Sequence, residues 1–190
     1  KKIIEKSINF KDINNLTQTI SKQVDGIGKL VDEFSSFARM PKAEIKLDNL
    51  SKTLKESFNL FVNSHPNVNM KLLSKTKDIY FQFDRFQITQ AFNNIIKNSV
   101  EAVSNIPNPS ITVVLLENNN QIEFIVKDNG VGIDENKISK YFEPYFTTKD
   151  KGMGLGLSIV KKIIEDHGGL IKIEKNKNMA GTTTMITFDI

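Results

Sequence analysis

Asn94 and Asn98 stand four residues apart in Phe92-Asn93-Asn94-Ile95-Ile96-Lys97-Asn98-Ser99-Val100-Glu101. The pattern is helical, so both amides project from one face, with Lys97 and Glu101 beside them. Asparagine is a middling helix former, and a pair set opposite Ile95, Ile96 and Val100 calls for a reason beyond propensity. A neutral amide oxygen suits magnesium, which takes hard oxygen ligands, keeps several waters and is commonly shared with substrate phosphates. If the segment stood alone, two solvated amides would be the better explanation.

Two glycine-bearing segments follow. In Asp128-Asn129-Gly130-Val131-Gly132 the glycines permit a tight turn and the approach of a flat ligand, while Asp128 offers an acceptor-only carboxylate able to take an exocyclic amine. An Asp-Asn-Gly hairpin turn is the competing explanation. In Lys151-Gly152-Met153-Gly154-Leu155-Gly156-Leu157 three alternate glycines open a helical pattern, and exposed N–H groups at a helix start make a phosphate cradle. No Gly-Lys-Ser/Thr follows, so this is not a P-loop, and Leu157 stands where the dinucleotide fingerprint needs glycine. Just before it runs Tyr141-Phe142-Glu143-Pro144-Tyr145-Phe146-Thr147-Thr148-Lys149. Phe142 and Phe146 are expected to anchor a flap on the core, leaving Thr147, Thr148 and Lys149 for phosphate contact.

The elements that must position these residues alternate after Pro41. Strand-like runs at Val68–Leu73, Ile79–Phe83, Ile111–Leu116, Ile122–Val126, Leu170–Ile173 and Thr182–Phe188 interleave with helical patterns at Leu50–Phe61, Phe86–Val103 and Leu155–His167. Polar residues at alternate strand positions predict an α+β two-layer sandwich, its sheet covered by helices on one face only. Ahead of this, Ile13, Leu16, Ile20, Val24, Ile27, Val31 and Phe34 form one stripe on a long amphipathic helix from Asp12 to about Ala38. Asp12 is expected to cap it and Pro41 to end it, with a domain boundary there: 1–41 helical, 42–190 the larger domain. The stripe favours a helical hairpin or dimeric bundle over packing on the domain that follows.

Bulk composition excludes more than it assigns. The 190 residues are 39% hydrophobic and 25% charged, with no cysteine, so disulfides, thiolate metal sites and thiol nucleophiles are out. The net charge of +4 is spread along the chain and reads as a lysine-rich solvated surface, not a nucleic-acid patch. No run approaches the ~20 apolar residues of a membrane span. With a Lys1 start that lacks the shape of a signal peptide, the chain is expected to be a soluble piece of something longer.

Taken in order, the four chemistry-bearing segments resemble the N, G1, F and G2 boxes of sensor histidine kinases, within the ATPase superfamily that includes Hsp90, gyrase and MutL. Gly181-Thr182-Thr183 resembles the last box. Gln23-Val24-Asp25-Gly26-Ile27-Gly28 and Asp32-Glu33-Phe34-Ser35-Ser36-Phe37-Ala38-Arg39-Met40-Pro41-Lys42 are similar to the second dimerisation helix of nitrogen-regulation kinases of the NtrY type.

The resemblance implies a Bergerat-type ATP-binding fold with ATP and Mg2+ as cofactors. By it, Asn98 is the metal ligand and Asn94 lies near the metal and its waters. Asp128 reads the adenine amine, Gly130 and Gly132 admit the purine, and Gly152, Gly154, Leu155, Gly156 and Leu157 form the lid, with Thr183 in the last box. Lys97, Thr148 and Lys149 are assigned to the triphosphate, Lys97 and Asn94 as catalytic groups; Glu101 is read as a solvated or helix-pairing carboxylate.

The family's acceptor histidine, followed by an acidic residue and then a proline, has no match: His65 reads as a surface-loop residue and His167 as a helix C-cap. The implied activity is γ-phosphate transfer to a histidine outside the chain and relay to a response regulator. The parent protein would be a homodimer whose catalytic part is cytoplasmic, with any membrane anchor elsewhere. The alternative is an ATP-hydrolysing clamp, which would need a glutamate where Asn94 stands.

Overall fold

The computed structural model describes residues 10–38, 41–118, 120–149, 152–177 and 179–190. The chain divides into two compact units, Lys1–Pro41 and Lys42–Ile190.

Among its described residues the first unit forms one helix, α1 (Phe10–Ala38). Ile13, Leu16, Ile20, Val24, Ile27 and Val31 are all exposed along it, so the apolar stripe has the expected three-four spacing and stands uncovered in the isolated chain. The helix runs from Phe10, two residues ahead of the start expected at Asp12. Arg39 and Met40 lie outside the described residues.

The second unit is the α+β sandwich. Its order is β1 (Lys46–Asn49), α2 (Leu50–Ser64), β2 (Asn69–Ser74), β3 (Tyr80–Phe83), α3 (Arg85–Val103), β4 (Ser110–Asn118) and β5 (Gln121–Asp128). A 3-10 helix (Glu135–Phe142), α4 (Gly156–Asp166), β6 (Leu170–Lys175) and β7 (Thr182–Asp189) complete it. The main sheet runs β2-β4-β5-β7-β6, with β2 parallel to β4 and every other pair antiparallel.

One sheet face is the core. Ile111, Val113, Leu115, Ile122, Phe124, Val126, Ile186 and Phe188 are buried on it, against Ile88, Phe92, Ile95 and Ile96 of α3 and Ile159, Val160, Ile163 and Ile164 of α4. Phe92 and Phe124 rings meet at 4.3 Å between centroids. The alternating residues Thr112, Val114, Glu123, Ile125 and Lys127 are not fully buried, which gives the half-covered sheet its period of two.

The helices that carry the site are fixed at their ends. Asp84 caps α3, its carboxylate accepting the Gln87 amide at 3.0 Å, and Asn49 caps α2 by accepting the Lys52 amide at 2.8 Å. Helix α4 ends at His167, followed by Gly168 at φ +71°; the Gly169 amide donates to Ile164 O at 2.8 Å. His167 Nε2 accepts the Asp84 amide at 3.0 Å and Nδ1 lies 2.7 Å from Ile163 O, so the proton sits on Nδ1. The C-terminal end of α4 is thereby tied to the N-terminal end of α3.

Candidate functional site

Strand β5 ends in Asp128, which is 3% exposed. Its Oδ1 accepts the amides of Gly130 at 2.9 Å and Thr182 at 3.2 Å, and Oδ2 accepts the Ser99 hydroxyl of α3 at 3.2 Å. Burial pushes the Asp128 carboxyl up, only partly offset by these donors. Oδ2 retains acceptor capacity beyond its one partner, which fits a ligand amine.

The hairpin explanation for Asp-Asn-Gly fails. Asn129 Oδ1 accepts the Ser110 amide at 2.8 Å and its Nδ2 donates to Asn108 O at 3.0 Å, while the Val131 amide donates to Ala102 O at 3.2 Å. The segment is thus docked on β4 and on the end of α3. A Cβ on Gly130 would lie 2.7 Å from Ala102 Cβ, so only glycine lets the loop lie this close to the helix.

Asn176, which sequence reading passed over, organises the opposite wall. Its Nδ2 donates to Asp128 O at 2.7 Å and Ala180 O at 3.2 Å, and its Oδ1 accepts the Thr183 hydroxyl at 2.6 Å. Thr183, expected at the ligand, therefore has its hydroxyl engaged in holding this turn. Gly181 at φ +109° packs directly on the Asp128 carbonyl, where any Cβ would collide. Ser99 was legible in principle, as the one hydroxyl among Ile95, Ile96 and Val100; Asn176 looked like any turn residue.

Along α3, Asn94 and Asn98 are half-buried and Lys97 is exposed. Lys149 Nζ donates to Asn98 Oδ1 at 3.1 Å and makes a direct ion pair with Glu101 Oε2. An amide oxygen and a carboxylate thus meet on one positive charge, a donor set that fits a hard cation. Gly156, the first residue of α4, has its Cβ direction 4.0 Å from Asn98 Nδ2, which brings the glycine segment onto the asparagine face.

The aromatic and glycine segments are stitched together. The Tyr145 amide donates to Gly154 O at 3.0 Å, and Tyr145 itself takes φ +68°. Gly154 at φ +69° lies against the Phe146 backbone so closely that a Cβ would overlap its carbonyl. Phe146 meets Tyr141 edge-on at 5.3 Å; the two expected anchors, Phe142 and Phe146, are each half-buried. Thr147 Oγ1 accepts the Lys149 amide at 3.0 Å, and Thr148 is exposed. Leu155 is buried with its side chain in the core, so only its backbone faces the lid; Leu157 is half-buried. Asp150 and Lys151 lie outside the described residues.

The site therefore gathers Asp128, the glycine loops and the Asn98–Lys149–Glu101 cluster around one helix, α3. Residues 83–190 match the family of histidine kinase-, DNA gyrase B- and HSP90-like ATPases. The nitrogen regulation protein NtrY of Azorhizobium caulinodans is 36% identical over 90% of this chain and 23% of its own length. An NtrY-like sensor histidine kinase of Rickettsia conorii is 34% identical over 94% of this chain and 30% of its own. The chain thus spans less than a third of these curated relatives. The solved catalytic domain of histidine kinase ThkA superposes with TM-score 0.70 and 32% identity, covering 77% of this chain and 95% of that one. A structure of ThkA in complex with the response regulator TrrA gives TM-score 0.72 at 26% identity, covering 100% of this chain and 53% of that one. Fold, site order and these likenesses agree, and the chain belongs to the histidine kinase-, DNA gyrase B- and HSP90-like ATPase family, as the ATP-binding catalytic domain of a sensor histidine kinase.

Proposed function

We propose that this chain binds Mg·ATP and transfers the γ-phosphate to a histidine outside it. The parent protein relays the group to an aspartate of a response regulator. The carrying observation is Asn94, an amide on the same α3 face as Asn98. The resemblance puts a water-activating glutamate at this place in the hydrolysing relatives, and an amide cannot take that proton.

Transfer asks chiefly for positioning and charge neutralisation. Asp128 orients the adenine, Asn98 and its neighbours hold the metal, and the amides of Gly152, Gly154 and Gly156, with Lys149, Thr148 and Lys97, meet the phosphates. The bound cation would screen the phosphate oxygens. An imidazole nitrogen of the acceptor attacks the γ-phosphorus in line, the bond to the β-phosphate oxygen breaks, and ADP leaves while the imidazole gives up its proton to solvent.

The chain's own histidines support an external acceptor. His167 has both ring nitrogens engaged, and His65 caps α2 with Nδ1 3.2 Å from Phe61 O. Helix α1, with its uncovered stripe, is read as half of a dimerisation hairpin in a homodimer, and the catalytic part as cytoplasmic. Among the described residues no helix is long and apolar enough to cross a membrane.

The test mixes this chain, γ-labelled ATP, magnesium and a separate hairpin bearing the acceptor histidine, omitting each in turn. Acid-labile label on the hairpin only in the full mixture supports the proposal. Phosphate release indifferent to the hairpin, with no label transferred, overturns it in favour of an ATP-hydrolysing clamp.

A further inference from the structure

Glu101 sits one helical turn beyond Asn98 on the same face of α3. Beside a site for a triphosphate, a bare carboxylate would repel the ligand, so its charge must be answered by a cation. In the structure the answer is Lys149, whose ammonium contacts both Glu101 Oε2 and, at 3.1 Å, Asn98 Oδ1. The Glu101 and Lys149 side chains are 41% and 44% exposed, so as a surface ion pair the contact contributes little to holding the fold.

The two oxygens converge on a single positive charge, and that arrangement is what a cation's ligands require. We propose that Glu101 is a second oxygen ligand, with Asn98, of the divalent cation, and that Lys149 holds the pair until the metal displaces it. This rests on the reading of the site as one for Mg·ATP. As it stands the Asn98–Glu101–Lys149 set carries no net charge. With a divalent cation between the two oxygens and the ammonium released, the same set carries net positive charge toward the phosphates. Lys149 belongs to the segment stitched to Gly154, so its release would free the flap's cation for the triphosphate as the metal arrives. Metal binding and flap engagement then compete for, and exchange at, the same two oxygens.

The experiment titrates the full chain with the non-hydrolysable analogue AMPPNP by calorimetry, first in chelator and then across a series of magnesium concentrations, for wild type, Glu101→Gln and Glu101→Asp. Glu101→Gln is expected to raise the magnesium concentration at half-maximal tightening by about tenfold, the loss typical of a disturbed metal shell. Metal-free affinity should stay the same or improve, because a repelling charge is gone. Glu101→Asp should restore part of the magnesium response. A magnesium response unchanged in Glu101→Gln, or a metal-free affinity that falls as much as the metal-bound one, overturns the proposal and leaves Glu101 a flap tether. Wild type that binds AMPPNP in neither condition overturns the nucleotide reading, and this proposal with it; an unaltered melting temperature of each variant confirms that the exposed helix position is tolerated.

Discussion

Replacing Asp128 by Asn separates the fold from the reading of the base. Truncation to Ala would strand the Gly130 amide, the Thr182 amide and the Ser99 hydroxyl, now bonded at 2.9, 3.2 and 3.2 Å. At about 1–3 kcal/mol for each buried unsatisfied group, that is a loss of several kcal/mol and of most meaning in a binding assay. Asparagine keeps an oxygen at Oδ1 for both amides, and its NH2 can donate to the Ser99 oxygen once the hydroxyl rotates. It also removes a charge whose carboxyl burial pushes up. A raised native pKa means that Asp128 favours the fold at low pH and loses that contribution as pH rises through the raised value. At pH 7 the Asn variant should therefore melt no lower than wild type. Binding should behave differently, because the amine of adenine would face an NH2 instead of a carboxylate. Loss of a hydrogen bond to a charged group, about 1.5–3 kcal/mol, lowers ATP affinity roughly ten- to a hundredfold. ITP, whose base presents a carbonyl there, should lose nothing or gain. Calorimetric titration with both nucleotides, beside a melting curve, decides the matter. A drop of more than about 5 °C in Tm, or equal weakening of ATP and ITP, would refute this reasoning.

Three further outcomes follow from the same geometry. Asn98→Ala should abolish the magnesium-dependent part of ATP affinity with little change in melting temperature, and unaltered titration curves would remove Asn98 from the metal site. Gly130→Ala puts a methyl 2.7 Å from Ala102 Cβ and should lower both Tm and nucleotide affinity, because loop and helix must part; wild-type values for both would mean that the close approach is dispensable. Asp84 is raised by burial but lowered more by the amides of Gln87, Glu44 and Phe86, so its net pKa falls below 3.8. Its stabilisation is present above the ordinary carboxylate value and lost as pH falls through the native one. Asp84→Ala should cost about 1–2 kcal/mol at pH 7, with the gap to wild type closing in chemical denaturation as pH falls through the lowered native value.

Much of the scaffold was legible because periodicity carries it. The 3.6 spacing of Ile88, Ala91, Phe92, Ile95 and Ile96 marked α3, and the period-two runs marked all the strands of the main sheet. Strand β1 was missed: Lys46–Asn49 is four residues long, and its pairing with β3 is set by tertiary placement, not by pattern. The 3-10 helix Glu135–Phe142 has no buried residue, so no apolar rhythm announced it. At the site, spacing along one helix placed Asn94 and Asn98 on a common face, whereas partners distant in sequence stayed invisible. Lys149 reaches Asn98 across 51 positions, and Asn176 reaches Asp128 across 48. Such pairs are set by how loops land on a finished sandwich, which local propensity does not encode.

The tie between His167 and the Asp84 amide has a consequence for how this domain can be tuned. It pins α4 to α3 at the end away from Gly156, so the helix is a fixed post behind the loop that the Tyr145–Gly154 hydrogen bond closes. Lengthening that loop would leave the core untouched, while each doubling of its length would add only about 0.6 kcal/mol to the entropy lost on closing it. Length there is thus a fine adjustment, available to sequence change without touching a single contact in the core.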